Sequence, residues 1–240
     1  MFLTFKNLNI LVLSVIFSYT HITGQDTLTV IDVDSNIYHT VTVRDQVWMK
    51  ENLKTTRYND STAIPYIKDD NEWMALKSPG YTWYEYDKEN KDIYGALYNW
   101  YAVNTNKLCP VGWHVPTDDE WNMLEIYLGM QPYEAQNISY RGTSKAFKLK
   151  ATGTVQESTG LWHTPNEGAT NETGFSAIPG GFIYYNDGYS YGLGSYGFWW
   201  ASEEFNKPDA WYRLLYYHSA YMSRSTYNKG YGFSVRCLKD

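Results

Sequence analysis

The feature that most constrains the fold is the placement of the only two cysteines, Cys109 and Cys237, in a chain of 240 residues. Cys109 stands shortly before a predicted helix, and Cys237 belongs to an alternating run near the C-terminus. A disulfide between them would close a loop of more than half the chain. Chain entropy alone would let such a closure stabilise the fold by about 4–5 kcal/mol. The alternative is two free thiols, and the redox state of the compartment decides between them.

The first 24 residues have the pattern of a secretory signal peptide. Lys6 supplies a positive charge, residues 8–19 form a mostly apolar run that is too short to span a membrane, and a polar stretch leads to Gln25. We therefore predict a signal peptide at residues 1–24, a single domain at residues 25–240, and a secreted, periplasmic or cell-surface location. No cysteine lies near the predicted cleavage site, so we do not expect a lipoprotein. An oxidising compartment favours the Cys109–Cys237 disulfide.

The composition argues against some partners and suggests others. The formal net charge of −6 argues against a nucleic-acid partner, because phosphate binding needs a basic surface, and we also expect no membrane insertion. The chain has 24 Tyr and 10 Trp but only 9 Phe. Tyr and Trp join apolar area to a hydrogen-bonding edge, which suits contacts with sugars or peptides. The alternative is that these rings fill the core of a domain with few aliphatic side chains.

The most strongly specified helix begins after Thr117. Thr117 and Glu120 have the spacing of a capping box, and Asp118 and Asp119 complement the helix dipole. Gly129 ends the helix. The side chains that share its apolar face are Trp121, Leu124 and Leu128.

A second helix is predicted over residues 94–103, where Tyr94, Leu97, Tyr98 and Tyr101 fall at helical spacing. Residues 52–90 read mostly as loop. The predicted strands are residues 27–34, 38–43 and 46–49 near the N-terminus, and 178–181, 182–185, 198–202, 210–217 and 231–238 after residue 176.

The last of these strands alternates in character. Phe233, Val235 and Cys237 alternate with Ser234 and Arg236, which predicts one buried face and one polar, solvent-facing face. Two helices in the first half and short antiparallel strands with long loops elsewhere indicate a single α+β domain. We expect its core to contain Trp113, Trp121, Trp199, Trp200 and Phe233.

Several segments resemble one family in order and spacing: Val47-Trp-Met-Lys-Glu-Asn-Leu53, Tyr94-Gly-Ala-Leu-Tyr-Asn-Trp-Tyr-Ala102, Leu108-Cys-Pro-Val-Gly-Trp-His-Val-Pro116, Gly174-Phe-Ser-Ala-Ile-Pro-Gly-Gly181 and Gly232-Phe-Ser-Val-Arg-Cys237. The family is the Fibrobacter succinogenes major paralogous domain, and the resemblance covers residues 30–240. The family is abundant in secreted and surface proteins of Bacteroidetes-type bacteria, and its biochemical role is largely undefined. The resemblance therefore implies a compartment and a fold rather than a reaction.

A more distant likeness concerns the fold. Residues 112–121 and 232–236 are similar to segments of formylglycine-generating enzymes, which implies a C-type-lectin-like core in which the N- and C-terminal strands meet. The close cysteine pair that binds copper in those enzymes is absent here. The related sulfoxide-forming branch uses a histidine cluster for iron, and this chain has no His-x-x-x-His spacing. We therefore expect no inherited catalysis, and we interpret His114 as a packed core residue.

Calcium-dependent sugar binding of the C-type lectin kind requires two tripeptides that this chain lacks. The nearest segments are Thr164-Pro-Asn166 and Lys207-Pro-Asp209, and Trp-Asn-Asp is absent. Asp118, Asp119 and Glu120 fit a helix start better than a calcium site. We predict no cofactor and no metal ligand, while calcium stays open without a supporting motif.

The candidate ligand-binding residues are five tyrosines in one Gly- and Asn-rich segment. Rigid rings on adaptable loops suit the recognition of an extracellular glycan or a cell-surface protein. The alternative is a loop packed onto its own rings. The five residues are Tyr184, Tyr185, Tyr189, Tyr191 and Tyr196, and we expect Tyr216, Tyr217, Tyr221 and Tyr227 nearby.

The sequence thus favours a secreted, non-catalytic binding module. A second hypothesis is a carbohydrate-active enzyme that uses surface carboxylates such as Glu203 and Glu204, which two suitably spaced acids in a cleft would support. A third is a purely structural cell-surface protein.

Overall fold

The computed structural model describes residues 28–141 and 145–240, so the predicted signal peptide at residues 1–24 lies outside the described residues. Within these ranges, no helix combines the length and the apolar character that a membrane crossing requires. The α-helices are α1 Asp70–Ala75, α2 Lys91–Tyr94, α3 Trp100–Val103, α4 Asp118–Tyr127 and α5 Pro132–Ala135. The strands are β1 Thr29–Ile31, β2 Ile37–Val43, β3 Gln46–Met49, β4 Tyr81–Thr82, β5 Leu97–Tyr98, β6 Trp113–His114, β7 Ser139–Tyr140, β8 Gly180–Ile183, β9 Ser190–Leu193, β10 Tyr196–Glu204, β11 Asp209–Tyr216, β12 Met222–Asn228 and β13 Leu238–Lys239.

A five-stranded sheet joins the first strands of the described chain to the last one, in the order β1-β2-β3-β13-β6. The turns before and after β2 contain Ser35 and Arg44, both with positive φ, as expected for tight connections. At the C-terminal end, Leu238 pairs with Trp48, and the Met49 amide donates to the carbonyl of Cys237 at 3.0 Å. The chain therefore closes on itself at this sheet.

A six-stranded sheet, in the order β7-β12-β11-β10-β8-β9, forms the other half of the fold. The β8–β10 pair is parallel, and the other pairs of this sheet are antiparallel. Both sheets are therefore mainly antiparallel, which confirms the prediction of an α+β domain. Helix α4 packs against β10 and β11 on one face of this sheet. The strands β7, β9 and β12 lie outside the ranges predicted as strands.

Helix α4 forms where the sequence predicts it. Thr117 and Glu120 make both hydrogen bonds of the capping box, Gly129 follows with a φ of +103°, and Trp121 and Leu124 are buried. Asp118 is the predicted helix-start residue, and it is buried, because Arg213 and Arg224 reach it from the sheet.

The helix predicted over residues 94–103 is wrong. The segment is the end of α2, the strand β5 and the short helix α3. Gly95 ends α2 with a φ of +78°, and a Cβ there would lie 2.9 Å from the Leu53 carbonyl oxygen, so only glycine fits this close passage. The Tyr98 amide then donates to the Phe233 carbonyl at 2.9 Å. Pairing with a distant segment overrides the helical spacing of the side chains.

The disulfide Cys109–Cys237 is present, with both residues buried and their Cα atoms 6.0 Å apart. It links the segment before β6 to the residue before β13, as the prediction of a bridge between the helix start and the last strand requires. Of the five expected core residues, Trp121, Trp199, Trp200 and Phe233 are buried. Trp113 is only partly buried, because it lies on the edge strand β6.

The prediction of one long C-terminal strand with a solvent-facing polar side is wrong. Only Leu238–Lys239 is a strand there, and Ser234 and Arg236 are as deeply buried as their apolar neighbours. The Arg236 guanidinium donates to the Phe175 carbonyl and, at 3.2 Å, to the Asn52 side chain, and it lies 4.3 Å over the Phe175 ring. A second layer of chain covers the face that the alternation assigned to solvent.

His114 also differs from its prediction, because it is half-exposed rather than packed in the core. Its ring nitrogens lie 3.0 Å from the Glu120 carboxylate and 2.7 Å from the Asp240 carboxylate. The bond to Glu120, reinforced by Asp240 and opposed by partial burial, raises the pKa of His114 to about 9. The histidine therefore joins the start of α4 to the C-terminal residue as a charged group.

Candidate ligand-binding cleft and aromatic row

An aromatic row crosses the face of the six-stranded sheet that is opposite α4. Each strand contributes one ring, and neighbouring centroids along four of the steps are 5.8, 5.0, 5.4 and 4.8 Å apart. The register of β7 against β12 places the sixth ring on the same face. In strand order from β9 to β7, the aromatic row consists of Tyr191, Phe182, Phe198, Tyr212, Tyr227 and Tyr140.

The aromatic row is buried in the middle and exposed towards its ends. Phe198 and Tyr212 are buried, whereas Tyr191 and Tyr140 are 41% and 52% exposed. Phe233 covers the middle by stacking on Phe198 at 4.6 Å. The row is therefore continuous with the core, and the core positions its exposed rings.

The five predicted site residues divide into two groups. Tyr184 and Tyr185 pack on Tyr231 with centroids 5.4 and 5.2 Å away, and Tyr196 stacks on Tyr216 at 4.8 Å, so these rings have a face covered. This group follows the alternative of a loop packed onto its own rings.

Tyr189 and Tyr191 form the other group, since their side chains are the exposed ones of the five. Tyr189 is 56% exposed, and no other aromatic ring of the described residues packs against it. The segment predicted as a loop is largely the β8–β9 hairpin. Of the other tyrosines expected nearby, Tyr227 lies in the aromatic row, whereas Tyr217 packs against Tyr216 and His163.

A cleft of about 600 Å³ opens beside this hairpin. Three separate parts of the chain form its walls: the start of α1, the turn after β4, and the first residues of β9. The lining residues are Lys68, Asp69, Asp70, Glu85, Tyr86, Tyr189, Ser190 and Tyr191.

The walls of the cleft are held together by specific contacts. Glu85 and Tyr86 both have positive φ, 53° and 58°, an unusual backbone for side chains of this size. The Glu85 amide donates to Ser190 Oγ at 2.8 Å, and the Tyr86 hydroxyl donates to the Gly188 carbonyl at 2.6 Å. Strained backbone that distant contacts enforce is typical of binding sites.

The hairpin tip and the start of α1 touch directly. Gly188 has a φ of +74°, and a Cβ at this position would overlap the backbone of Asp70. Asp69 caps α1 by accepting from the Glu72 amide at 2.9 Å, which fixes that wall. The cleft is therefore preformed, by the backbone contact at Gly188 and by side-chain hydrogen bonds of Ser190, Tyr86 and Asp69.

The cleft is electrostatically negative. Asp69, Asp70 and Glu85 line it against a single cation, Lys68. Burial raises the pKa of the Tyr86 hydroxyl, and the nearby carboxylates, Asp70 foremost, raise it further.

Asp187 adds another carboxylate at the hairpin tip. It accepts from the Tyr191 hydroxyl at 2.8 Å and from the Tyr189 amide at 2.9 Å. The first of these bonds raises the pKa of Tyr191 and fixes its ring beside the cleft. Within residues 28–141 and 145–240, no group of three or more His, Cys, Asp or Glu side chains is arranged to hold a metal ion.

Comparison with known families adds the classification. The profile of the Fibrobacter succinogenes major domain matches residues 41–239. The chain belongs to this family. The comparisons with curated proteins and with solved structures gave no match.

The matched range of this Fibrobacter succinogenes major domain includes all three walls of the cleft and both cysteines. Sequence reasoning missed the walls formed by Asp69, Asp70, Glu85 and Tyr86. They lie about a hundred positions from Tyr189 in a segment read as loop, and no local pattern links them to the hairpin. The helix cap at Asp69 was the one local signal available there.

The two carboxylates of the enzyme hypothesis do not share a cleft. Glu203 accepts from the Asp118 amide at 3.0 Å, and Glu204 accepts from the Lys229 ammonium at 2.7 Å. One carboxylate is bound at the start of α4 and the other at Lys229, directly after β12, so the two side chains have different partners. Their contacts give each a structural role.

Proposed function

We propose that this chain is a secreted, non-catalytic binding module whose ligand is an extracellular glycan, bound in the cleft beside the β8–β9 hairpin. The observation that carries the proposal is the cleft itself. It has a volume of about 600 Å³, and exposed tyrosine rings and carboxylates line it together. Small-ligand sites have volumes of roughly 300–1,000 Å³ and combine aromatic walls with a few polar groups.

The chemistry of the lining suits a sugar. The exposed ring of Tyr189 can pack against the apolar face of a pyranose. The carboxylates of Asp70 and Glu85 can accept hydrogen bonds from the hydroxyls of the sugar. The walls are already in place, so little conformational entropy is lost on binding.

We also propose that the scaffold is C-type-lectin-like and that the protein is exported. The pairing of β3 with β13 supports the first point, because it brings the N- and C-terminal parts of the domain together. The sequence pattern of residues 1–24 and the Cys109–Cys237 disulfide support the second.

The test is a glycan-array screen of residues 25–240, followed by titration of the best sugar against variants. Tyr189→Ala combined with Tyr191→Ala should abolish binding while leaving the melting temperature nearly unchanged. Tyr133→Ala is the matched control, since Tyr133 is 76% exposed and lies outside the cleft lining. A blank array, or a bound sugar that the double variant still binds normally, would refute the proposal. Capture of a surface protein through these tyrosines would replace the glycan with a protein ligand.

A further inference from the structure

The charges around the cleft are not neutralised within the described protein. Some acidic side chains elsewhere on the surface pair with basic ones, as Asp92 does with Lys54 at 2.8 Å and Asp60 does with Lys107 at 2.8 Å. Over the described residues, no basic side chain lies within salt-bridge distance of Asp69, Asp70 or Glu85.

These carboxylates surround a preformed cavity with aromatic walls. Asp69 and Asp70 come from the start of α1, and Glu85 comes from the turn after β4, so the negative charge faces the cavity from two walls. The third wall carries Tyr189 and Tyr191. Lys68 is the one basic residue of the lining. A ligand that enters the cavity therefore meets a negative potential on two sides and tyrosine rings on the third.

Tyrosine rings and carboxylates favour the same kind of ligand charge. An ammonium group within about 6 Å of a tyrosine ring face is attracted by the ring quadrupole. The same ammonium group forms charge-assisted hydrogen bonds to carboxylates. Tyr189 offers an exposed ring, and Tyr86 lies in the field of Asp70 and Asp69.

We propose that the cleft selects glycans that carry free amino groups, in which protonated amines lie against Tyr189 and between the carboxylates of Asp70 and Glu85. The inference rests on the proposed glycan-binding function and specifies its ligand class. The same sugars with acetylated amines bind more weakly because they lose the charge. Glycans with sulfate or carboxylate groups are repelled.

The experiment compares two oligosaccharides of equal length that differ in charge, glucosamine oligomers and N-acetylglucosamine oligomers, by calorimetric titration against residues 25–240. The buffer is acidic enough to keep the amines protonated. We expect the glucosamine oligomer to bind at least about tenfold more tightly. The preference should shrink when ionic strength rises from about 0.05 M to 0.5 M, since screening weakens exposed charge pairs.

Variants that remove a single negative charge test whether the preference for amino sugars arises in the cleft. Glu85→Gln and Asp70→Asn preserve side-chain shape, and each should reduce the preference several-fold while the N-acetylated oligomer binds as before. Asp45→Asn is the matched control, because Asp45 is an exposed carboxylate in the turn between β2 and β3 and lies outside the cleft lining.

The outcomes distinguish the amino preference from the glycan-binding function on which it rests. Equal binding of the two oligomers, lost in the Tyr189→Ala and Tyr191→Ala double variant, would overturn the amino preference and leave the glycan-binding function standing. Tighter binding of a sulfated glycan at the same tyrosines would overturn it as well. If neither oligomer binds but a lysine oligomer does, the cleft recognises basic peptides, and both proposals fall. Failure of every glycan and of the lysine oligomer would also overturn both.

Discussion

On the face covered by α4, the six-stranded sheet buries Arg213 of β11 and Arg224 of β12; on the opposite face, the same two strands carry Tyr212 and Tyr227. Ion pairs stabilise the face covered by α4, and packed aromatic rings stabilise the opposite face. Both sets are placed by the same register, since side chains alternate across a strand. The comparison shows how one sheet provides a rigid side and an adaptable side.

The α4 face depends on the pairing of its buried charges. Arg213 lies 2.8 Å from Asp118 and 2.9 Å from Glu125, and Arg224 lies 2.6 Å from Asp118. Arg141 contacts the same Glu125 carboxylate. Although burial alone would raise the pKa of Asp118, Arg224 and Arg213 hold it below its usual value. Removing one member of such a network leaves a buried charge unpaired, which is costly.

The aromatic face has no such dependence. Each ring pair contributes about 0.5–1.5 kcal/mol beyond burial, and removal of a partly exposed ring leaves no unpaired charge. Tyr227, for example, stacks on Tyr212 at 4.8 Å and on Tyr231 at 4.6 Å. We therefore expect the aromatic face to tolerate substitutions and to bind ligands that the α4 face would not.

The largest expected effect on the difference between the two faces comes from Asp118→Ala. This substitution leaves Arg213 and Arg224 without their shared carboxylate. We expect the free energy of unfolding, measured in urea, to fall by about 3–5 kcal/mol. Asp119→Ala is the neighbouring control on the exposed side of α4 and should cost less than about 0.5 kcal/mol. A loss below about 1 kcal/mol for Asp118→Ala would show that the charge network does not hold this face.

Loss of one ring from the aromatic row should be milder. Tyr227→Ala removes two stacked contacts, and we expect the free energy of unfolding to fall by about 1–2 kcal/mol. Tyr227→Phe keeps the stacking and serves as the control, with a change near zero. If both substitutions cost the same, the hydroxyl rather than the stacking would be the stabilising group.

A pH titration tests the charged pair at the start of α4. Folding raises the pKa of His114 from 6.5 to about 9, so its stabilising effect is fully present below about pH 6.5 and disappears as pH rises through 9. Because the side chain is half-exposed, we expect a loss of only about 0.5–1 kcal/mol in unfolding free energy over this range. His114→Gln should flatten that part of the profile. An unchanged profile in the variant would contradict the assignment.

The smallest effect on stability is expected at the cleft. Tyr189→Ala should change the free energy of unfolding by less than about 0.5 kcal/mol, because the side chain is 56% exposed, and adding Tyr191→Ala should cost about 1 kcal/mol, because that ring also packs on Phe182. Thermal unfolding followed by circular dichroism would measure this. A loss of several kcal/mol would place these rings in the core and remove the basis of the proposed site.

The sequence predicted the elements that local chemistry determines. The capping box of α4 and the strand Gln46–Met49 depend on neighbouring residues, and both formed as predicted. The disulfide followed from having only two cysteines in a chain with a predicted export signal. The five tyrosines were identified by composition alone, which could not separate the exposed Tyr189 from the packed Tyr185.

The elements that distant pairing determines could not be predicted. The segment 94–103 has helical spacing, yet hydrogen bonds to Leu53 and Phe233 turn its centre into strand β5. Strand β12 has a polar sequence and becomes a strand because β11 pairs with it along its length. Arg236 alternates like a surface residue and is buried because earlier parts of the chain, around Asn52 and Phe175, cover it. The cleft joins three such non-local parts.

The contact between Gly188 and the backbone of Asp70 separates the shape of the cleft from its specificity. Because main-chain atoms meet there, the distance between two walls does not depend on the side chains at 189 and 191. Relatives could therefore exchange those two side chains and recognise different ligands on an unchanged frame. An engineer could vary the same two positions as a library while keeping glycine at 188.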